Sequence, residues 1–230
     1  MRNLALLLAL LPAPALASQR SLTVTEFNRI RIEGTFNIEI VTGHGPSARV
    51  TGSEQAVERT DIKNQGQMLI VRSSASSWGG MPGDNPGVAT IRLTTSELRT
   101  VGSSGASTVK INHMQGQSVS VGQDGSGAVN VGSVTADTLD LAMAGAGSLT
   151  VAGKAAQVHV AVRGAGTFDA SALATTDLRL TLEGSATVKV AAGRSANIVA
   201  NGTGSVVVAG TPACTVVNRG SGSVACGKAR

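Results

Sequence analysis

The chain has almost no aromatic residues. Phe27, Phe36, Phe168 and Trp78 are all there are in 230 residues, and tyrosine is absent. That speaks against a nucleic-acid platform, which stacks bases on rings. Basic residues are few as well: the 19 Lys and Arg are spread along the chain without a basic run, and the net charge is only +5. Two cysteines cannot staple a disulfide mini-protein. The longest apolar run, Leu4 to Leu11, is eight residues, far short of the roughly 20 that span a bilayer as a helix. Charged residues make up 14% and hydrophobic residues 42%, a balance too apolar for a disordered chain. Glycine is abundant, at 29, but does not recur every third residue, so collagen is excluded.

The N-terminus reads as an export signal. Arg2 gives a positive start, Leu4 to Leu11 the apolar segment, Pro12 and Pro14 the break, and Ala15-Leu16-Ala17 a small-x-small cleavage site. The expected division is a signal peptide over 1–17, an N-terminal β segment over 18–100, and seven glycine-centred repeats over 101–230 of the same domain. No cysteine follows the apolar run, so lipoprotein processing is not expected. The expected location is the periplasm, the exterior or the cell surface, all oxidising.

The repeats are small tripeptides that begin at Gly105, Gly125, Gly145, Gly164, Gly184, Gly202 and Gly220, spaced by 20, 20, 19, 20, 18 and 18 residues. Four residues after each lies Val109, Val129, Leu149, Phe168, Val188, Val206 or Val224. Four before lies Val101, Val121, Leu141, Val160, Leu180, Ile198 or Val216. Intervening positions such as Lys110, Asn130, Asp140 and His159 are polar. This is period-two alternation mirrored about a glycine, which makes two strands with facing apolar sides. A β-sandwich of hairpins is one solution. Near-equal spacing favours another, in which each unit is one coil and like strands stack into parallel ladders, a β-solenoid. The seven glycines are then structural turns, where positive φ and tiny side chains let the coils approach. A second bend falls around Gly116, Gly132, Gly153, Ala174, Gly193 and Gly210.

Residues 22 to 100 carry a looser version, with Ile30, Ile32, Phe36, Ile38 and Ile40 alternating around Gly34. Five or six strands are expected there, beginning the same sheets and covering one end, with a short turn or helix at Ala56 to Arg59. The Ser-, Gly- and Pro-rich loop from Ser73 to Gly87 is expected to be exposed and mobile. Cys214 and Cys226 stand six before and six after Gly220, where earlier repeats hold inward apolar pairs such as Leu139 and Val151. They are expected to form a disulfide across the last coil; the alternative is two buried thiols.

The ordered series Phe27-x-x-Ile30-x-Ile32-x-Gly34, Phe36-x-Ile38-x-Ile40, Leu69-Ile70-Val71, Ile91-x-Leu93 and Leu98-x-x-Val101-x-x-Ser104-Gly105-Ala106, followed by the Gly-Ser-Gly series, resembles the head GIN domain of bacterial autotransporter adhesins. The resemblance covers nearly all of the chain after the signal. It implies an all-β, right-handed parallel β-helix of the pectin-lyase kind, with no established catalytic residues and a role in adhesion. The chain departs from the family pattern at Thr94-Thr95, where a proline is common, and shows no anchor or translocating barrel.

Chemistry-bearing constellations are sparse. His44, His113 and His159 sit in different segments without ligand-spaced partners. A polysaccharide lyase on such a fold needs clustered acidic calcium ligands, and the repeats offer only Asp140, Asp177 and Glu183 in loose alignment. The Gly-x-Gly elements are not dinucleotide fingerprints, because no helix follows them. Neither a cofactor nor a metal is expected. The best contact candidates are Trp78, whose indole beside Gly79-Gly80 could stack on a sugar, and Met81. The expected function is non-enzymatic binding of an envelope, surface or glycan ligand. The alternatives are a polysaccharide-active enzyme and a periplasmic scaffold or sensor.

Overall fold

Stacked parallel ladders dominate the structure, a computed structural model that describes residues 18–74 and 87–227. The expected signal at 1–17 lies outside the described residues. The N-terminal part comprises β1 (Ser18–Leu22), β2 (Arg29–Gly34), β3 (Asn37–Thr42), β4 (Ser47–Gly52), α1 (Glu54–Glu58), β5 (Thr60–Gln65), β6 (Met68–Ser73) and β7 (Thr90–Thr95). The repeats comprise β8 (Thr100–Gly105), β9 (Thr108–Ile111), β10 (Met114–Gly125), β11 (Ala128–Gly145), β12 (Ser148–Gly164) and β13 (Thr167–Ala170). They continue through β14 (Leu173–Gly184), β15 (Thr187–Ala192), β16 (Ser195–Gly202), β17 (Ser205–Gly210), β18 (Ala213–Arg219) and β19 (Ser223–Cys226).

The protein is an all-β parallel solenoid. One ladder runs β6, β2, β8, β10, β11, β12, β14, β16, β18; it passes through the residues before each tripeptide glycine. A second runs β7, β3, β9, β11, β12, β13, β15, β17, β19 through the residues after it. The inward phase is the one that alternation assigns. Val101, Val121, Leu141, Val160, Leu180 and Ile198 are at most 3% exposed, and Val109, Val129, Leu149, Phe168, Val188 and Val206 at most 2%. Each such side chain contributes about 1.5–3 kcal/mol by burial.

Two features are absent from a two-strand description of the coil. The first is a third ladder of three-residue pieces: Met114–Gly116, Val134–Ala136, Gly153–Ala155 and Leu173–Thr175. Spacing variation is absorbed beside it. The 19-residue unit is one residue short at the corner between Val151 and Gly153, opposite Val131 and Val134, where the register shifts. In the 18-residue units the corner closes directly, with the Gly193 and Arg194 amides donating to the Thr175 and Thr176 carbonyls.

The second feature is the chain order. The β2/β3 coil lies between the β6/β7 coil and the β8/β9 coil, so neighbouring glycines Gly34 and Gly105 are far apart in sequence. Antiparallel strands close this end: β5 lies on β6, β4 on β7, and β1 on β4. Helix α1 adds Ala56 and Val57 to the core, and its N-cap Ser53 accepts from the Ala56 amide at 3.1 Å.

The tripeptide glycines form a column. Each carbonyl from Gly105 to Gly202 accepts from the next coil, as from Ser126 N–H to Gly105 and from Ala146 N–H to Gly125, both within 3.1 Å. Gly105-Ala106-Ser107 breaks the Gly-x-Gly form for a local reason. Ser107 is fully buried, and its hydroxyl accepts from the Phe36 amide at 3.1 Å and donates to the Gly34 carbonyl at 2.9 Å.

Candidate binding surface

The long sides of the solenoid are where side chains can meet a ligand, because inward phases are filled. On the outer side of the first ladder, polar groups neutralise one another. Asp140 Oδ1 lies 3.1 Å from His159 Nδ1, and Arg163 Nε donates to Glu183 Oε2 at 3.1 Å. Asp177 accepts from Arg194 Nε at 2.9 Å and from Ser195 Oγ at 2.6 Å. The Arg194 guanidinium, then the Ser195 hydroxyl, hold the Asp177 carboxyl below its ordinary value. Asp140, Asp177 and Glu183 are thus each engaged with a different basic partner and do not converge. Among the described residues, no group of three or more His, Cys, Asp or Glu could hold a metal ion.

The third ladder is different. A groove of about 840 Å³ runs along it between Glu97 and Thr176. Its floor is made of small residues, Gly116, Ala136, Ala155 and Thr175, aligned coil over coil. At a strand spacing of 4.7–4.9 Å the floor extends roughly 14 Å. Gln115, Thr135 and Lys154 form one wall, and Gln117, Asp137 and Ala156 the other. At Gly116 a Cβ would meet the Arg99 side chain at 3.4 Å, an ordinary van der Waals contact. Gln115, Gln117, Asp137 and Lys154 make no side-chain hydrogen bond or ion pair among the described residues. Unengaged donors and acceptors over a flat, small-residue floor can hydrogen-bond an extended, hydroxyl-rich chain.

Spacing and alternation do not single out this groove. The available signal is a small residue ten or eleven positions after each of the first four tripeptide glycines, at Gly116, Ala136, Ala155 and Thr175. The turn glycines Gly105, Gly125, Gly145, Gly164, Gly184, Gly202 and Gly220 all stack coil over coil at one edge. Trp78 and Met81 lie outside the described residues. His159 is exposed on its strand beside Asp140, and the His113 carbonyl accepts from Thr42 Oγ1 at 2.9 Å. Cys214 and Cys226 are joined by a disulfide, with Cα atoms 6.4 Å apart.

The family described as "Putative auto-transporter adhesin, head GIN domain" matches residues 26–212. No curated protein sequence matches the chain. Solved structures of the same shape include a "putative adhesin" from Bacteroides fragilis, with TM-score 0.82, 21% identity, and coverage of 93% of this chain and 97% of that one. A "putative lipid binding protein" from Parabacteroides distasonis aligns with TM-score 0.72 and 20% identity over 94% and 98% of the two chains. A "putative adhesin" from Parabacteroides merdae aligns with TM-score 0.70 and 17% identity over 94% and 98%. At these identities the likeness establishes the fold. Among the described residues, no helix is long and apolar enough to cross a membrane.

Proposed function

The chain belongs to the head GIN domain family of auto-transporter adhesins, and from that premise we propose that it is a non-enzymatic, exported binding protein that holds a glycan of the cell envelope or surface. The observation that carries this reading is the groove on the third ladder, where Gln115, Gln117, Asp137 and Lys154 stand unengaged above small residues. Carboxamides, a hydroxyl at Thr135, a carboxylate and an ammonium can serve a chain rich in hydroxyls, and a flat floor accepts sugar rings without steric selection. Binding along several coils adds many weak contacts, the mode of use common to solenoids. Trp78 and Met81 are proposed as further contacts. Residues 1–17 are proposed as the removed export signal, which would place the protein in the periplasm, outside the cell or on its surface.

The test is a glycan and envelope-component binding screen with protein recovered from an exporting host, whose intact mass should start at Ser18. Gln115→Ala combined with Gln117→Ala should weaken binding about tenfold, the loss of one to two net hydrogen bonds. Arg163→Ala, on another side, should leave it unchanged. Turnover of the glycan, or equal loss for Arg163→Ala, would refute the reading.

A further inference from the structure

The two ends of the solenoid are finished differently. At the β6/β7 end, antiparallel strands β5, β4 and β1 cover the parallel coils, and the outermost strands carry charge: Asp61 and Lys63 on β5, Arg20 on β1. Charged residues on an outer strand discourage further pairing. At the other end, among the described residues, β18 pairs only with β16, and β19 only with β17. Strand β18 is exposed throughout and has no charge before Arg219. Val216 occupies the inward phase yet is 41% exposed, because no coil among the described residues covers it. Of the large hydrophobics exposed among the described residues, Val207, Val216 and Val217 all belong to the last two coils, and only Val88 lies elsewhere. A terminal repeat normally presents a polar outer face; this one does not.

The backbone of β18 specifies what can cover it. The Ala213 amide donates to the Arg194 carbonyl in the coil beneath, at 2.8 Å. By alternation along the strand, the N–H and C=O groups of Cys214, Val216 and Asn218 point away from β16. Those three positions are symmetric about Val216. An identical strand laid antiparallel therefore matches them: Val216 exchanges both hydrogen bonds with its own symmetry mate, and Cys214 pairs with Asn218. This register sets inward phase against inward phase and places Arg219 opposite Ala213 rather than opposite another arginine. Antiparallel closure of a parallel coil is also what the protein does at its other end, with β4 on β7.

We propose that the open end is an isologous interface, with β18 of one protomer pairing antiparallel with β18 of a second copy of this chain across a two-fold axis. The end spans Ala213–Cys226. At roughly 30–40 Å² per interface residue it buries about 1,000 Å² in total, the lower bound for a specific interface. The dimer should accordingly be weak, with Kd in the micromolar range, ~1–100 µM.

Sedimentation equilibrium of the disulfide-bonded protein between ~1 µM and ~1 mM tests this directly. The expected result is a reversible shift from one chain mass to two. Val216→Pro removes only an outward N–H, a change tolerated on an edge strand. It should weaken the dimer at least tenfold, and so should Val216→Lys. Val88→Lys, at an equally exposed valine elsewhere, should leave it unchanged. A single chain mass at every concentration overturns the proposal. So does a dimer that survives both Val216 substitutions, and so does open-ended growth beyond two chains.

Discussion

Gly145 lies so close over Gly125 that a Cβ built on it would stand 2.5 Å from the Gly125 carbonyl oxygen. The backbone of Gly145 is also left-handed, at φ +99°. The same contact recurs from Gly105 over Gly34 to Gly220 over Gly202, always carbonyl against the missing side chain. The column thus fixes the height of each coil at the spacing its ladders require, and the absence of a Cβ, rather than any ring or charge, sets the bend.

Gly145→Val should therefore be costly. Left-handed strain contributes about 1–3 kcal/mol, and displacing the Gly125 backbone adds to it, so a loss of about 2–4 kcal/mol is expected. Thr150→Val, on the exposed outward phase five residues on, should change stability by no more than about 0.5 kcal/mol. Urea melts of the two variants decide: equal losses would contradict the phase and the column alike.

Acid should loosen the strand-β7 end. The Glu26 carboxylate accepts from Ser96 Oγ and Thr95 Oγ1, both at 2.7 Å, and from the Ser96 amide at 2.8 Å. These bonds, the Ser96 hydroxyl foremost, lower its pKa from the ordinary 4.5. With the folded pKa below the unfolded one, the stabilisation is complete above pH 4.5 and is lost as pH falls through the folded value. Asp177, lowered by Arg194, and Asp169, lowered by Ser171, act in the same direction from 3.8 downward. Glu26→Gln, a weaker acceptor, should melt below the parent at pH 7 and close the gap as pH falls through the folded pKa of Glu26. A gap that is constant with pH would contradict the assignment.

The Cys214–Cys226 bond ties the coil that, among the described residues, has no neighbour on its outer side. Such a coil frays first, and closing this short segment should contribute roughly 2–3 kcal/mol. Thiol titration of denatured protein made in an exporting host should find no free thiol, and Cys214→Ala should melt earlier than the parent. Two free thiols per chain, or an unchanged melt, would contradict it.

How much of this was legible follows from sequence distance. Equal glycine spacing and mirrored alternation lead directly to Val101, Val121 and Leu141 stacked inward, because each coil contacts only the next. The third ladder escapes the pattern: Met114–Gly116 and Val134–Ala136 are too short to show alternation, so they read as a bend. The groove they form is correspondingly unmarked. The insertion of β2/β3 between β6/β7 and β8/β9 escapes it too, since the pairing of Gly34 with Gly105 rests on contacts across the whole N-terminal part. Val216, inward by phase, is exposed because burial there depends on a covering coil, and among the described residues none follows.

No turnover is expected from the carboxylates that align most nearly. Asp140, Asp177 and Glu183 are held by His159, Arg194 and Arg163 respectively, which spreads them along separate pairs. Incubation with acidic glycans, with and without calcium, should give no cleavage products. Activity abolished by Asp140→Asn, Asp177→Asn or Glu183→Gln would contradict this.

The central claim, that the third-ladder groove is a binding surface, is tested most directly by titrating the ligand found in a glycan screen into the parent and into the Gln115→Ala, Gln117→Ala double variant. The account predicts saturable binding by the parent, about tenfold weaker binding by the variant, and identical melting of the two. Binding of equal strength in both would contradict it.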